Sequence, residues 1–265
     1  MDKIESESKF IWKLLFHIAI TPITLILVLF GKRETKDLFR PFTDIVEFIF
    51  GPKLTISIIA INVAIFFFGI FYISDEAFGR FVNYPDDLIG LRLHTLVTTG
   101  FLHGDLSHLF WNMLGIFIFG RVVERKLGPL RTSFVYFGAL IISNLFTSLI
   151  HLLILNDNIG VFGASGALMG LVATAILIDP FYITYELILP LPIMVDGWLA
   201  LYADISGIIN PIEDGIGHLA HIGGFVSVGL IVFFMGFDER SKLKRGLAIN
   251  IISAIIAIIF YYIFA

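Results

Sequence analysis

Cysteine is absent from this chain of 265 residues. Its absence excludes disulfides, a thiolate metal site and a cysteine nucleophile, but identifies no compartment. Charge is also scarce. Asp, Glu, Lys and Arg make up 15% of the chain, where a soluble globule averages about 25%. Internal repeats and low-complexity tracts are missing. The hydropathy pattern does not divide into two inverted halves, which weighs against a secondary transporter.

What fills the chain instead is apolar. Hydrophobic residues make up 57%, and Phe alone occurs 28 times. They come in long runs, so the expected fold class is all-α, a polytopic helical membrane protein. A first helix is expected over Leu14 to Phe30, spanning the bilayer or lying in its interface because of His17 and Pro22. Gly31-Lys32-Arg33 follows with no small-residue cleavage site, so a cleaved leader is not expected. A polar linker at 31–53 comes next, carrying Lys32, Arg33, Lys36, Arg40 and Lys53.

Six core spans are expected after it: Leu54 to Ile73, His108 to Val123, Thr132 to Leu155, Ser165 to about Asp179, Ile193 to Ile209, and His218 to Met235. A terminal helix is expected over Leu247 to Phe264. The segments at 31–53, 121–131 and 238–245 are basic, and those at 74–107, 156–164 and 210–217 are acidic or nearly uncharged. This alternation is what the positive-inside rule requires of six spans. Three regions follow: an N-terminal helix and basic cytoplasmic linker (1–53), a six-helix core (54–236), and a basic loop with a C-terminal transmembrane helix (237–265). The expected location is the cell membrane, as a multi-pass protein.

Polar groups at membrane depth are costly, so each needs a reason. Gly163-Ala164-Ser165-Gly166 puts a hydroxyl at the entrance of a buried helix, where unpaired N–H groups can stabilise an oxyanion. His108 and Asn112, four residues apart, share a helix face. His218 and His221 open the sixth span, and Gly223 and Gly224 there let helices approach closely, matched by Gly166 and Gly170 on the fourth. All three polar sites start spans on the outer side, so they lie at similar depth.

Serine needs a base to become a nucleophile, and imidazole has the right pKa to serve. The packing reading of a lone Gly-x-Ser-Gly is overturned by the conjunction of the three sites. A metal or haem reading of His218 and His221 finds no carboxylate beside the pair on its own helix and leaves the serine unexplained. No metal and no cofactor is therefore expected.

These residues resemble the rhomboid family of intramembrane serine proteases. The likeness is carried by His108-Leu-Phe-Trp-Asn112, Gly163-Ala-Ser165-Gly166 and Ala220-His221-Ile222-Gly223-Gly224, supported by Phe101-Leu102-His103, Gly120-x-x-x-Glu124 and Leu127-Gly128. It covers about residues 54–236. The resemblance implies a six-helix core and a Ser–His dyad without a third acid. It implies Ser165 as nucleophile, His221 as general base, and His108 and Asn112 as oxyanion donors. It implies transmembrane protein substrates within a lipid bilayer, not nucleic acid.

Departures from the family pattern are visible. Leu93-His94 stands where many members carry Trp-Arg. Met169 stands where some bacterial members place a tyrosine on the catalytic histidine, so the histidine is expected to be oriented by packing alone. Gly197 and Gly207 suit a movable gate in the fifth span, and Asn156-Asp157-Asn158 with Glu213-Asp214 suit a wet outer mouth. Two rival readings are an inactive rhomboid-like protein that binds membrane clients and a small-solute channel lined by His108, Asn112 and His221.

Overall fold

The computed structural model describes residues 7–184, 190–210 and 217–264. Within them the chain is almost entirely helical, as a backbone in hydrocarbon must be to satisfy its own polar groups. Five described helices are long and apolar enough to cross a membrane: Phe10–Leu29, Lys53–Tyr72, Leu106–Leu127, Pro129–Leu155 and Phe237–Ile263. Among the described residues two shorter apolar helices join them, Ser165–Ile178 and His218–Phe234, the first of which carries the serine.

Helix α1 is Glu7–Leu29, with Pro22 inside it. The segment expected to be a linker is largely helical: a 3-10 turn at Thr35–Phe39 runs into α2, Arg40–Phe50. The reason is packing. Phe48 stacks on Phe10 at 3.8 Å between ring centres. The guanidinium groups of Arg121 and Arg125 each lie 4.4 Å from the same ring, contacts worth about 0.5–2 kcal/mol apiece. Asp44 of α2 also takes Lys13 at 3.1 Å and His17 at 2.5 Å from α1.

Helix α3 is Lys53–Tyr72. It begins on a buried carboxylate: Glu124 accepts from the Leu54 and Thr55 amides at 3.0 and 2.8 Å and from the Thr55 hydroxyl at 2.7 Å. The long segment after α3 is ordered by three short helices: α4 (Asp75–Gly79), α5 (Asp86–Ile89) and α6 (Thr95–Thr98). Buried Asn83 anchors it, donating to Ser148 Oγ at 2.8 Å and accepting from Thr95 Oγ1 at 3.2 Å.

The second span is a continuous rod of α7 (Leu106–Gly115), a π turn (Ile116–Gly120) and α8 (Arg121–Leu127). Helix α9 (Pro129–Ile150) extends through a second π turn, His151–Leu155. Helix α10 is Ser165–Ile178. A two-residue hairpin, β1 (Ile183–Thr184) with β2 (Leu191–Pro192), pairs Ile183 with Pro192. Helices α11 (Ile193–Ile209) and α12 (His218–Ile231) follow.

The last helix, α13, is Phe237–Phe264, starting ten residues before the expected Leu247. Arg240, Lys242, Lys244 and Arg245 therefore lie on its first turns and not in a loop. Asp238 and Glu239 favour a helix start there through the helix dipole. Arg240 bonds the Met235 carbonyl at 2.8 Å, and Arg131 pairs with Glu239 at 2.8 Å.

Helix α10 is the axis of the molecule. Ten of its fourteen residues, among them Gly166, Ala167 and Met169 to Ile176, are buried. Its neighbours come close because small residues face it: a Cβ on Gly170 would lie 2.2 Å from Ala139 Cβ of α9, and one on Gly246 of α13 would lie 1.8 Å from the Leu177 carbonyl oxygen. Outward, the exposed side chains are large and apolar, such as Phe67, Phe68 and Tyr72 on α3 and Ile255 and Phe260 on α13.

Side-chain contacts also gather the basic segments. Arg125 donates to the Phe48 carbonyl at 2.6 Å, joining 121–131 to 31–53, and the Arg131–Glu239 pair joins it to the start of α13. At the opposite end, Asn83 and Val161 form a β-bridge, and Asn158 accepts from the Asp86 amide at 3.1 Å. The basic segments thus gather at one end and the 74–107 and 156–164 segments at the other, while residues 211–216 of the third acidic segment lie outside the described residues.

Candidate active site

Ser165 is the first residue of α10, directly after Ala164 at its cap. The chain reaches it through Gly163, whose φ of +120° is in the region that favours glycine, and whose amide donates to the Thr99 carbonyl at 3.0 Å. A Cβ on Gly163 would lie 2.7 Å from His108 Nε2 and 3.8 Å from Asn112 Nδ2. The two α7 side chains therefore press against the backbone just ahead of the serine. Their helix is started by Asp105, which accepts from the His108 amide at 2.8 Å. Asn112 Nδ2 donates back to the His108 carbonyl at 3.1 Å.

Helix α12 meets α10 backbone to backbone. A Cβ on Gly224 would fall 2.0 Å from the Gly166 carbonyl oxygen, and one on Gly223 would lie 3.0 Å from Ser143 Cα of α9. A Cβ on Gly166 would lie 2.1 Å from Ser143 Oγ. These close approaches of α9, α10 and α12 bring the helix ends that carry Ser165 and His221 to one cavity.

A cavity of about 1300 Å³ opens there, lined by Ser165, His221, His218, His108 and Asn112 together with Trp111, Met169 and His151. Ser165, His108, His218 and His221 are half-buried, and Asn112 is buried. His151 also lines this cavity and pairs with Asp157 at 2.5 Å. Asp157 is part of the expected wet mouth; Glu213 and Asp214 lie outside the described residues.

His103 packs behind the cavity. Its ring centre is 5.0 Å from that of His108. Burial, with the nearby His108 as a smaller cause, pulls the His103 pKa down to about 4. It is neutral at physiological pH.

One expectation is corrected: the histidine is not oriented by packing alone. Its own helix offers no carboxylate, as expected, but one reaches the pair from α11. Asp204 of α11, 4% exposed, places Oδ1 2.7 Å from His221 Nδ1 and 2.9 Å from His218 Nδ1. The three ligand-type atoms lie within 4.8 Å of one another.

The acid comes from a neighbouring helix, which is why inspection of α12 by itself missed it. Gly197 and Asp204, seven residues apart, share the buried face of α11. A Cβ on Gly197 would sit 2.5 Å from Ile176 Cγ2, and one on Gly207 would sit 2.1 Å from His218 Nε2. In this structure these glycines seat α11 against α10 and α12. The available signal was an aspartate inside an apolar span, which by its cost alone is a functional candidate.

The arrangement defines a polytopic α-helical membrane protein with a polar cavity at the start of a central buried helix. A family model described as "Rhomboid domain" matches residues 91–239, more than half of the chain, and the chain belongs to the rhomboid family. It is 26% identical over 209 residues to "RHOMBOID-like protein 12, mitochondrial" of Arabidopsis thaliana, covering 74% of this chain and 60% of that relative. It is 26% identical over 242 residues to "Rhomboid protease AarA" of Providencia stuartii, covering 80% and 83%. To "Rhomboid-like protein 17, chloroplastic" of Arabidopsis thaliana it is 31% identical over 170 residues, covering 58% and 51%. The chain thus spans less than two thirds of the two plant relatives. Those two are named for organelles, so the family does not fix which membrane holds this protein.

Proposed function

We propose that this protein is a serine endopeptidase that cuts transmembrane segments of membrane-protein substrates inside the bilayer. The observation that carries the reading is the shared cavity: Ser165 at the start of α10, with His221, His108 and Asn112 around it. Ser165 Oγ attacks the scissile carbonyl while His221 takes its proton, as a base near neutrality can. The tetrahedral oxyanion is met by the Ser165 amide, unpaired at the first turn of a helix, and by the side chains of Asn112 and His108. His221 then returns the proton to the leaving amine. Water entering the cavity hydrolyses the acyl-enzyme, regenerating Ser165.

A fluorophosphonate probe tests this directly in the full-length protein in detergent. Ser165 is labelled, and labelling is abolished by Ser165→Ala and by His221→Ala. Undiminished labelling of Ser165→Ala, or cleavage of a transmembrane reporter that survives either substitution, refutes the assignment.

A further inference from the structure

Resting on that reading, we infer that Asp204 is the positioning residue for the catalytic histidine, so that this chain works with a Ser165–His221–Asp204 relay in place of a two-residue site. Three observations converge. Asp204 is buried in a membrane helix, where a carboxylate persists only with partners. Its Oδ1 is 2.7 Å from His221 Nδ1. Met169, which lines the same cavity, carries no N–H or O–H that could orient the imidazole, and it is buried among apolar neighbours.

The chemistry follows from which nitrogen carries hydrogen. A carboxylate accepts, so His221 Nδ1 donates, and the neutral ring then keeps its lone pair on Nε2. That is the tautomer able to take the Ser165 proton. When it does, the imidazolium forms beside a negative oxygen and is stabilised there, and Asp204 itself gains no proton.

His218 is the second donor to the same oxygen, at 2.9 Å. It divides the carboxylate's charge and fixes its direction, with its ring seated against Gly207. A metal is the competing use of these three side chains. Tetrahedral zinc, with Zn–N near 2.0–2.1 Å, holds its ligand atoms roughly 3.3 Å apart. The observed separations of 2.7 and 2.9 Å are shorter and are those of hydrogen bonds. Among the described residues, the titratable groups facing His221 are Asp204 from α11, His218 from its own helix and His108 across the cavity, whose lining also includes Asp105 and His151.

The test measures kcat, KM and pH profile for cleavage of a transmembrane reporter by the full chain in liposomes. Asp204→Asn keeps the shape but removes the charge. It lowers kcat about 10²–10⁴-fold with KM little changed, and moves the ascending pH limb toward acid. Asp204→Glu recovers part of the rate. His218→Ala leaves Asp204 undivided and moves the limb toward alkali.

Wild-type kcat and an unmoved limb in Asp204→Asn overturn the inference while leaving the nucleophile assignment intact, provided Ser165→Ala and His221→Ala are dead. Activity in Ser165→Ala would instead sink the underlying reading. Should Asp204→Asn not fold, the His218→Ala profile decides, and a limb that stays in place overturns the relay.

Discussion

Closeness between α10 and α12 is the feature on which the geometry of the site depends, and Gly224→Ala perturbs it directly. The added methyl would stand 2.0 Å from the Gly166 carbonyl oxygen and 3.2 Å from Gly166 Cα. An ordinary contact to that oxygen is about 3.4 Å, so the helices must part by roughly 1.4 Å. The obstacle is backbone, which cannot swing aside as a side chain does.

Overpacking of this kind costs about 1–3 kcal/mol. A 1 Å displacement of reacting groups costs about 10²-fold in rate. Gly224→Ala should therefore melt at lower temperature in detergent and cleave a transmembrane reporter about 100-fold more slowly. Gly229 on the same helix is the control, because a Cβ there meets nothing within 4 Å. Gly229→Ala should be neutral or stabilising by up to about 1 kcal/mol, since it restricts the unfolded chain. Equal melting and equal rates for wild type, Gly224→Ala and Gly229→Ala would refute the claim that bare backbone contact sets the site.

Three further perturbations act elsewhere. Gly163→Ala combines a φ of +120° with a methyl 2.7 Å from His108 Nε2; it should cost about 1–3 kcal/mol in strain and slow turnover at least about tenfold, read by melting and kinetics. Glu124→Ala strips the start of α3 of its acceptor, leaving the Leu54 and Thr55 amides without that partner; a loss of about 1–3 kcal/mol in a denaturation series is expected. His103 binds protons less readily folded, at a pKa of about 4, than unfolded, near 6.5. Stability should therefore fall as pH drops from about 6.5 toward 4, by at most about 3 kcal/mol from this group. His103→Phe should flatten the melting temperature over that window.

Reading the helices from the chain worked where the pattern was unambiguous. The bounds of α11, Ile193–Ile209, were the expected ones. The start of α13 was misplaced because a charged run reads as a loop by hydropathy, although those charges form ion pairs and dipole contacts on a helix. Helix α2 was read as linker for a related reason. It becomes a helix by docking Phe48 under two arginines more than 70 residues away in the chain, which no local window contains.

The order of residues was enough to determine a helical, bilayer-embedded chain and to mark Ser165, His108, Asn112, His218 and His221 as residues needing a reason, because hydrocarbon makes every polar side chain expensive wherever it ends up. What it left undecided was which of them share a space, and with whom. Only the packing of α11 against α12 put the Asp204 carboxylate on His221, since hydrogen bonds act over about 3 Å and that proximity is created by helices whose residues are 17 positions apart.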